Sequence, residues 1–344
     1  MIDLAPYTDG PRERLLAALI EARGGHVAHA ALAERVGVEP LRLARLLAGL
    51  GEEGVSFETM PGRGYRLVAS LPPLDPARVE RAAAGTRRFG RALCLAAVTS
   101  TNDVAVALGE AGESDGAVVV AETQTRGRGR AGRAWISPPG VGLWCSILLR
   151  PRVAADAVHL LTPAAALAAS RAARDVADLS LLVKWPNDLV ARPAPGAASG
   201  EWLKVGGILS EGRTTGGRLD FAVIGMGLNV GPLPETAPSG VATRATSLTA
   251  LAGRPVARED LLAALLRALG PLLATVETDG LAPLLPELRV LSPLIGRRVS
   301  VATGGRVVTG VARDLDAAGA LVVAADAGGL ERVVAGDAHI QEDA

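Results

Sequence analysis

Aromatic residues are nearly missing from this 344-residue chain, at 3 % of positions against 49 % hydrophobic residues in all. Its core must therefore be packed mainly from Ala, Val and Leu. Cysteine is as scarce. The two thiols, Cys94 and Cys145, form no C-x-x-C pair and have no histidine cluster near them, which argues against a zinc site and a secreted disulfide scaffold. Both have apolar neighbours and read as plain buried residues. Net charge is absent too: 36 basic side chains balance 36 acidic ones. No global field steers the chain toward nucleic acid or anionic lipid, so any polyanion site has to be local. A basic stretch followed by an apolar run does not open the chain at Met1-Ile2-Asp3-Leu4. The most apolar helical stretch, Leu261 to Val276, is broken by Arg267, Gly270 and Pro271, and it is shorter than the ~20 residues of a membrane span. The expectation is a cytoplasmic protein without a membrane partner.

At this length two or three domains are expected, and three regions separate on pattern. In the first, up to residue 70, Arg12 to Ala22 carries a helical stripe at Leu15, Leu16, Leu19 and Ile20. Ala30 to Val36 is a second short helix stopped near Gly37, and Pro40 suits the first turn of a third. Alternating Val55–Thr59, a Pro61-Gly62-Arg63-Gly64 turn and Tyr65–Val68 then read as a hairpin, giving the order of a winged helix-turn-helix. Leu71 to Pro76 is a natural linker. From 75 to 291, strand-like runs (Ala117–Glu122, Leu143–Leu149, Leu181–Lys184, Gly206–Glu211, Phe221–Leu228) mix with helical ones (Ala154–Asp175, Arg258–Glu277), which suggests an α/β domain with one main sheet. The Pro/Gly/Ala-rich insert from Arg192 to Gly200 reads as a surface loop. Over 292–344, short Val-rich runs split by Gly-Gly, Asp-Ala-Ala-Gly and Ala-Gly-Gly predict a small antiparallel barrel.

Five segments carry chemistry. In Glu122 to Trp135, Arg126, Arg128, Arg130 and Arg133 alternate with Gly127, Gly129 and Gly132 directly after a strand. Glycine lets backbone approach a ligand closely, and guanidinium forks hold carboxylate or phosphate oxygens. Such a run also suits a solvated basic turn or an RNA-binding tract. Because ordering glycine is costly, the loop is expected to be mobile when empty and ordered over an anion. No Gly-x-x-x-x-Gly-Lys-Ser/Thr occurs, so ordinary P-loop chemistry is disfavoured. Lys184-Trp185-Pro186-Asn187-Asp188 sets a cation and a carboxylate around a rigid turn, and is equally good strand-to-strand turn chemistry. Lys204-Val205-Gly206-Gly207 and Gly225-Met226-Gly227-Leu228-Asn229 put glycines into strands, where they often mark a close approach. Thr99-Ser100-Thr101-Asn102-Asp103 precedes a helix that it could simply cap.

In order and spacing, these five segments resemble the signature of the biotin–protein ligases, relatives of the lipoate ligases. The flanking regions resemble those of the bifunctional bacterial form, which joins the ligase to a biotin-operon repressor. The resemblance implies a multidomain α+β chain: a winged helix-turn-helix over 1–70, a mixed α/β catalytic domain of the class II aminoacyl-tRNA synthetase/biotin ligase type over 75–291, and an SH3-like β-barrel over 292–344. It implies that the biotin carboxylate attacks the α-phosphate of ATP, with Mg²⁺, and that biotin then passes from the adenylate to a lysine of an acceptor such as a biotin carboxyl carrier protein domain. On this reading Ser100, Thr101, Asn102 and Gln124 bind biotin's ureido end. Arg128, Gly129 and Arg130 close over its carboxylate and the phosphate, with Lys204 and Gly207 beside them. Arg128, Arg130, Arg133, Lys184, Asn187 and Asn229 bind ATP. Lys204 is the main catalytic cation, with Arg130, Lys184 and Asp188 as further catalytic residues, and Asp188 and Asn229 hold Mg²⁺. A homodimer is implied as well.

Two departures bear on function. Repressor members of the family stack adenine on an aromatic residue that has no counterpart between Gly231 and Leu248, where Ala242, Ala245 and Thr246 are left to pack the base. The expected recognition helix, Glu39 to Leu50, offers only Arg42 and Arg45, and the wing adds Arg63 and Arg66, so operator DNA binding stays open beside a purely structural winged helix. The rival readings are a lipoate or octanoyl ligase and a ligand-sensing transcription factor without ligase activity.

Overall fold

The apolar stripe Leu15, Leu16, Leu19 and Ile20 is buried, as its helical spacing requires. It packs with Leu32, Val36, Leu43, Leu47 and Leu50 in a small core of its own. The structure, a computed structural model, describes residues 2–192, 202–234 and 245–341. The predicted loop from Arg192 to Gly200 lies, beyond Arg192, outside the described residues, and so does Ala242. The chain opens with α1 (Ala5–Thr8), α2 (Pro11–Glu21), α3 (His29–Val36) and α4 (Pro40–Glu52), followed by the hairpin β1 (Ser56–Met60) and β2 (Gly64–Val68). Proline starts α2 and α4, where its missing N–H costs nothing, and Gly37 ends α3 with a φ of 72°.

Next come α5 (Pro76–Ala84), β3 (Ala92–Val98), α6 (Thr101–Glu110), β4 (Val118–Gln124), β5 (Gly142–Leu149) and α7 (Leu161–Ala177). They are followed by β6 (Leu182–Lys184), β7 (Asp188–Ala191), β8 (Leu203–Thr215), β9 (Arg218–Asn229), α8 (Leu248–Ala252), α9 (Arg258–Asp279) and α10 (Leu285–Leu291). The strands form one seven-stranded mixed sheet in the order β3-β4-β5-β9-β8-β7-β6, with β3 and β4 parallel and the other pairs antiparallel. Alternation along the strands gives the sheet two buried faces. Val118, Val120, Cys145, Ile147 and Ile224 share one core with α5, α7 and α9, while Val119, Ala121, Leu148 and Val223 face α6. The edge strand β3 was missed in the sequence because its run of Ala, Leu and Cys does not alternate. Ala96 and Ala97 on it join the core of α2–α4, which seats the N-terminal helices on the sheet edge.

Two expectations need correction. Gly270 and Pro271 do not break the apolar stretch: α9 runs through them for 22 residues. Tertiary burial of Leu265, Leu266, Leu269, Leu272 and Leu273 outweighs the lost hydrogen bond. That length and hydropathy would suit a membrane span, yet the helix packs against α7 in the main core. The tail forms β10 (Arg298–Thr303), β11 (Arg306–Leu315), β12 (Leu321–Ala325), β13 (Leu330–Val333) and β14 (Asp337–Ile340). They pair antiparallel in the order β13-β12-β11-β10-β14. Among the described residues no pairing joins β13 to β14, so the predicted barrel is an open five-stranded sheet. Both cysteines are free, with Cys145 buried and Cys94 partly so, and burial pushes each thiol up to about 12.

The linker is held by a buried ion pair that no sequence pattern announced. Arg258, at the start of α9, donates to both carboxylate oxygens of Glu122 on β4, at 2.9 and 3.0 Å, and to the carbonyls of Gly142 and Pro72. Glu122 also accepts the backbone N–H groups of Leu74 and Gly140, at 2.8 and 2.7 Å. Both side chains are under 5 % exposed. Breaking such a pair strands a buried charge, so Arg258→Met should cost about 3–5 kcal/mol of stability. A urea unfolding midpoint unchanged from the wild type would show the pair to be dispensable.

Candidate active site

The Arg/Gly segment is a hairpin. Trp135 N–H donates to the Gly127 carbonyl at 2.9 Å, Gly129 N–H to the Arg133 carbonyl at 2.7 Å, and Arg128 bridges Ala134. A single 3₁₀ turn, Arg130–Gly132, forms its tip, with Ala131 at a φ of 55° and Gly132 at 71°. The loop expected to be mobile when empty and ordered over an anion has backbone hydrogen bonds of its own that define this hairpin. Its arginines tie it to three places. Arg128 forms a two-pronged pair with Asp103 on α6, which raises its already high pKa. Arg130 donates to the Asn187 side-chain oxygen at 3.4 Å and to the Gly336 carbonyl at 3.2 Å. Arg133 pairs with Asp337 on β14 at 2.9 Å.

At the N-terminus of α6 the capping explanation fails: Ser100 holds the cap position but makes no side-chain cap hydrogen bond. Ser100, Thr101 and Asn102 are all buried. Gln124 Oε1 accepts from the backbone and hydroxyl of Thr101 at 2.9 and 3.1 Å, while its Nε2 donates to Ser137 Oγ. Gln124 thus lies beside Thr101, with its amide engaged by the protein. Asn102 donates to Glu211 at 2.6 Å, and Ser146 Oγ lies 2.6 Å from Asn102 Oδ1 and 2.7 Å from Thr101 Oγ1. The sequence reading missed Ser146, Glu211, Asp103 and Asp337. Ser146 left a usable trace, as the lone hydroxyl in the apolar strand β5.

The floor is the α6 face of the sheet, where the glycines make room for side chains of the protein itself. A Cβ on Gly225 would lie 2.1 Å from Asn102 Oδ1, and one on Gly227 would lie 2.6 Å from the Trp135 indole. A Cβ on Gly207 would meet that indole at 3.3 Å. Trp135 stands edge-on to Trp144, with ring centroids 6.4 Å apart. Lys184 and Asp188 face one another across the Trp185-Pro186-Asn187 turn, whose Trp185–Pro186 bond is cis. The segment is therefore a strand-to-strand turn, and its residues Lys184 to Asp188 also line the cavity described below. Lys204 on β8 reaches Asp188 at 2.7 Å and lies 5.3 Å from the centre of the Trp135 ring. Asn229, at the end of β9, donates to the Thr246 carbonyl at 3.1 Å.

Most of these groups line one cavity of about 460 Å³. Ser100, Thr101, Asn102, Gln124, Arg128, Gly129, Arg130, Arg133, Lys184, Asn187, Asp188, Lys204, Gly207 and Asn229 are each on its wall. Glu53 and Gly54 after α4 and Asp337 to His339 of β14 complete it. Arg42, Arg45 and Arg63 lie away from it, exposed on α4 and on the hairpin turn. Arg66 instead pairs with Glu58 across that hairpin.

The Biotin/lipoate A/B protein ligase family model matches residues 95–229, and the Biotin protein ligase C terminal domain model matches 294–339. The Biotin--[acetyl-CoA-carboxylase] ligase of Mycobacterium tuberculosis is 36 % identical over 277 residues, 77 % of this chain and 95 % of that protein. The chain belongs to the biotin–protein ligases. Within that family the Bifunctional ligase/repressor BirA of Escherichia coli is 29 % identical over 86 % of this chain and 87 % of its own length. The solved biotin protein ligase of Aquifex aeolicus in complex with biotin and ATP superposes with a TM-score of 0.62 at 26 % identity, covering 74 % of this chain and all of that one.

The glycine floor generates a prediction. Gly227→Ala should displace Trp135, because no real Cβ sits 2.6 Å from a ring. Chymotryptic cleavage after Trp135 should then quicken while the thermal midpoint moves little. Unchanged cleavage would mean that the indole has another seat.

Proposed function

We propose that the chain is an ATP-dependent biotin–protein ligase, which makes biotinyl-5′-AMP and passes biotin to a lysine of an acceptor such as a biotin carboxyl carrier protein domain. One observation carries this reading: five segments scattered from Ser100 to Asn229 converge on a single cavity. That cavity is polar at the α6 end and cationic at the hairpin, which suits a ligand with a hydrogen-bonding head and an anionic tail. Ser100, Thr101 and Asn102 take the ureido end, framed by Gln124 and Ser146. The flat glycine floor and Trp135 accommodate the apolar body. Gly129 and Arg130 bring the hairpin over the carboxylate.

In the first step a biotin carboxylate oxygen bonds to the α-phosphorus and pyrophosphate leaves. Bringing two anions together is the physical problem, and Lys204, Lys184, Arg130 and Arg133 supply fixed positive charge for it. In the second step the acceptor amine attacks the mixed anhydride and AMP leaves. Asp188, already salt-bridged to Lys204, is our candidate to take the proton. Neither step needs a covalent nucleophile from the protein. Asp188 and Asn229 are oxygen donors of the kind Mg²⁺ accepts, but no cluster of three acidic or metal-ligating side chains exists among the described residues. That fits an ion carried in largely by the nucleotide's phosphates, where it would neutralise their charge. Adenine, without an aromatic partner, would pack on the aliphatic wall of Val141, Leu233, Pro234 and Ala245 beside Asn229.

We also propose that residues 1–70, a winged helix, bind operator DNA, with 75–291 as the catalytic domain and 292–344 as a third, SH3-like one. The repressor half of the BirA name supports this, and the exposed Arg42, Arg45 and Arg63 are the contacts. A homodimeric, cytoplasmic protein completes the proposal.

Labelling of a carrier domain with biotin, dependent on ATP, tests the central reading, and preference for lipoate in competition would overturn it. Lys204→Ala should lower pyrophosphate release about 10²–10³-fold; wild-type release would remove it from catalysis. Arg130→Ala should let the adenylate leak into a trapping reagent, and tight retention would contradict its enclosing role. Promoter DNA titrated with and without adenylate, followed by fluorescence anisotropy, decides the repressor half. Absence of specific binding at moderate salt would rule it out.

A further inference from the structure

Arg128 stands where the sequence pattern put an anion-gripping guanidinium, yet a carboxylate of the protein occupies it. Its Nη1 donates to Asp103 Oδ2 at 3.0 Å and its Nη2 to Asp103 Oδ1 at 2.6 Å. A second carboxylate, Glu211, lies 3.9 Å from the same Nη2. One edge of a guanidinium holds one planar oxyanion at a time, so a ligand carboxylate or phosphate would have to displace Asp103 to use it. The backbone agrees with an anchoring role. Arg128 pairs with Ala134 at the base of the hairpin, whereas Arg130 begins its tip.

We propose that Asp103 is a positioning residue that pins the base of the Arg/Gly hairpin to α6 through Arg128, so that Arg128 anchors the lid and the cations beyond it handle the ligand's anions. Asp103 follows Asn102 directly, and Glu211 accepts a hydrogen bond from Asn102 Nδ2 at 2.6 Å. One turn of α6 therefore carries both the polar end of the cavity and the hinge of the hairpin. Ordering Asn102 around a ligand orders the carboxylates that hold Arg128. The consequence for catalysis rests on the ligase reading; the anchoring itself does not.

The test has two arms on the full-length protein. Hydrogen exchange of the peptide spanning residues 126–136, measured without substrates, reads the hinge alone. Asp103→Asn should speed exchange about fivefold, as loss of a well-aligned, partly exposed ion pair would. The effect should shrink at high salt. Asp103→Glu should restore slow exchange, and Asp103→Asn combined with Arg128→Gln should exchange no faster than Arg128→Gln alone. In the second arm, preformed biotinyl-adenylate should dissociate from Asp103→Asn about fivefold faster while the adenylation rate stays within about twofold of wild type. Wild-type exchange in Asp103→Asn, or a double variant that sums the single effects, overturns the anchor. Slower adenylate release, the result expected if Arg128 is freed to grip the ligand, overturns it as well. If the wild type forms no adenylate, the ligase reading fails while the exchange arm still decides the hinge.

Discussion

The carboxylate of Glu122 is the point on which the central domain is assembled. It lies on β4, two residues before Gln124, and it is one of few charges in the main core. Its two oxygens accept from Arg258, from Leu74 in the linker and from Gly140 ahead of β5. Those partners come from three separate stretches of chain. Because Glu122 and Gly140 bracket the Arg/Gly hairpin in sequence, fixing both ends beneath the linker fixes where the hairpin emerges. A charge buried this deeply is tolerated only when its hydrogen-bonding capacity is filled, so the constraint is strict and acts on geometry more than on net stability.

Above this anchor, the site is organised by charge pairing. Arg128 meets Asp103, Arg133 meets Asp337 and Lys204 meets Asp188. Each pair joins two different elements, and Asp337 belongs to the C-terminal sheet. The cavity is thereby walled from all three regions of the chain, including Glu53 and Gly54 after α4. Cations held by internal carboxylates can face one another without mutual repulsion, and they remain near where an incoming anion would compete for them. The same wall explains how a hairpin rich in glycine has a defined shape: the ion pairs of Arg128 and Arg133 and the hydrogen bonds of Arg130 offset the entropy that its glycines lose.

Much of this was legible beforehand. The helical stripe of α2, the alternating hairpin and the strands with terminal glycines all stand where their periodicity put them. The thirteen residues assigned to the biotin and ATP sites, and Asp188 with them, line the cavity. What escaped were partners rather than ligands. Asp103 and Glu211 close segments that the sequence did single out, but nothing local assigns an acid to an arginine that lies 25 positions away, as for Asp103, or 204, as for Asp337. The strand β3 escaped because it lacks alternation, whereas the helical run read over Arg258–Glu277 matches α9, in which Pro271 is tolerated because the leucines around it pack on α7. The tail was read as a closed barrel, but strand count and turn spacing carry no information on whether the last strand returns to pair with β13.

The Arg/Gly hairpin shows where the division falls. Residue order alone determined that glycine and arginine alternate after a strand, and so that a flexible, cationic loop borders the site. Those properties are intrinsic to the residues: backbone freedom and a planar charged fork. Only the tertiary structure decided what each arginine does. A guanidinium has one nearest carboxylate, and which one is set by distances between elements far apart in the chain. Asp103 claims Arg128 for the hinge, Asp337 draws Arg133 to the C-terminal sheet, and Arg130 is left at the tip, beside Asn187 and the cavity.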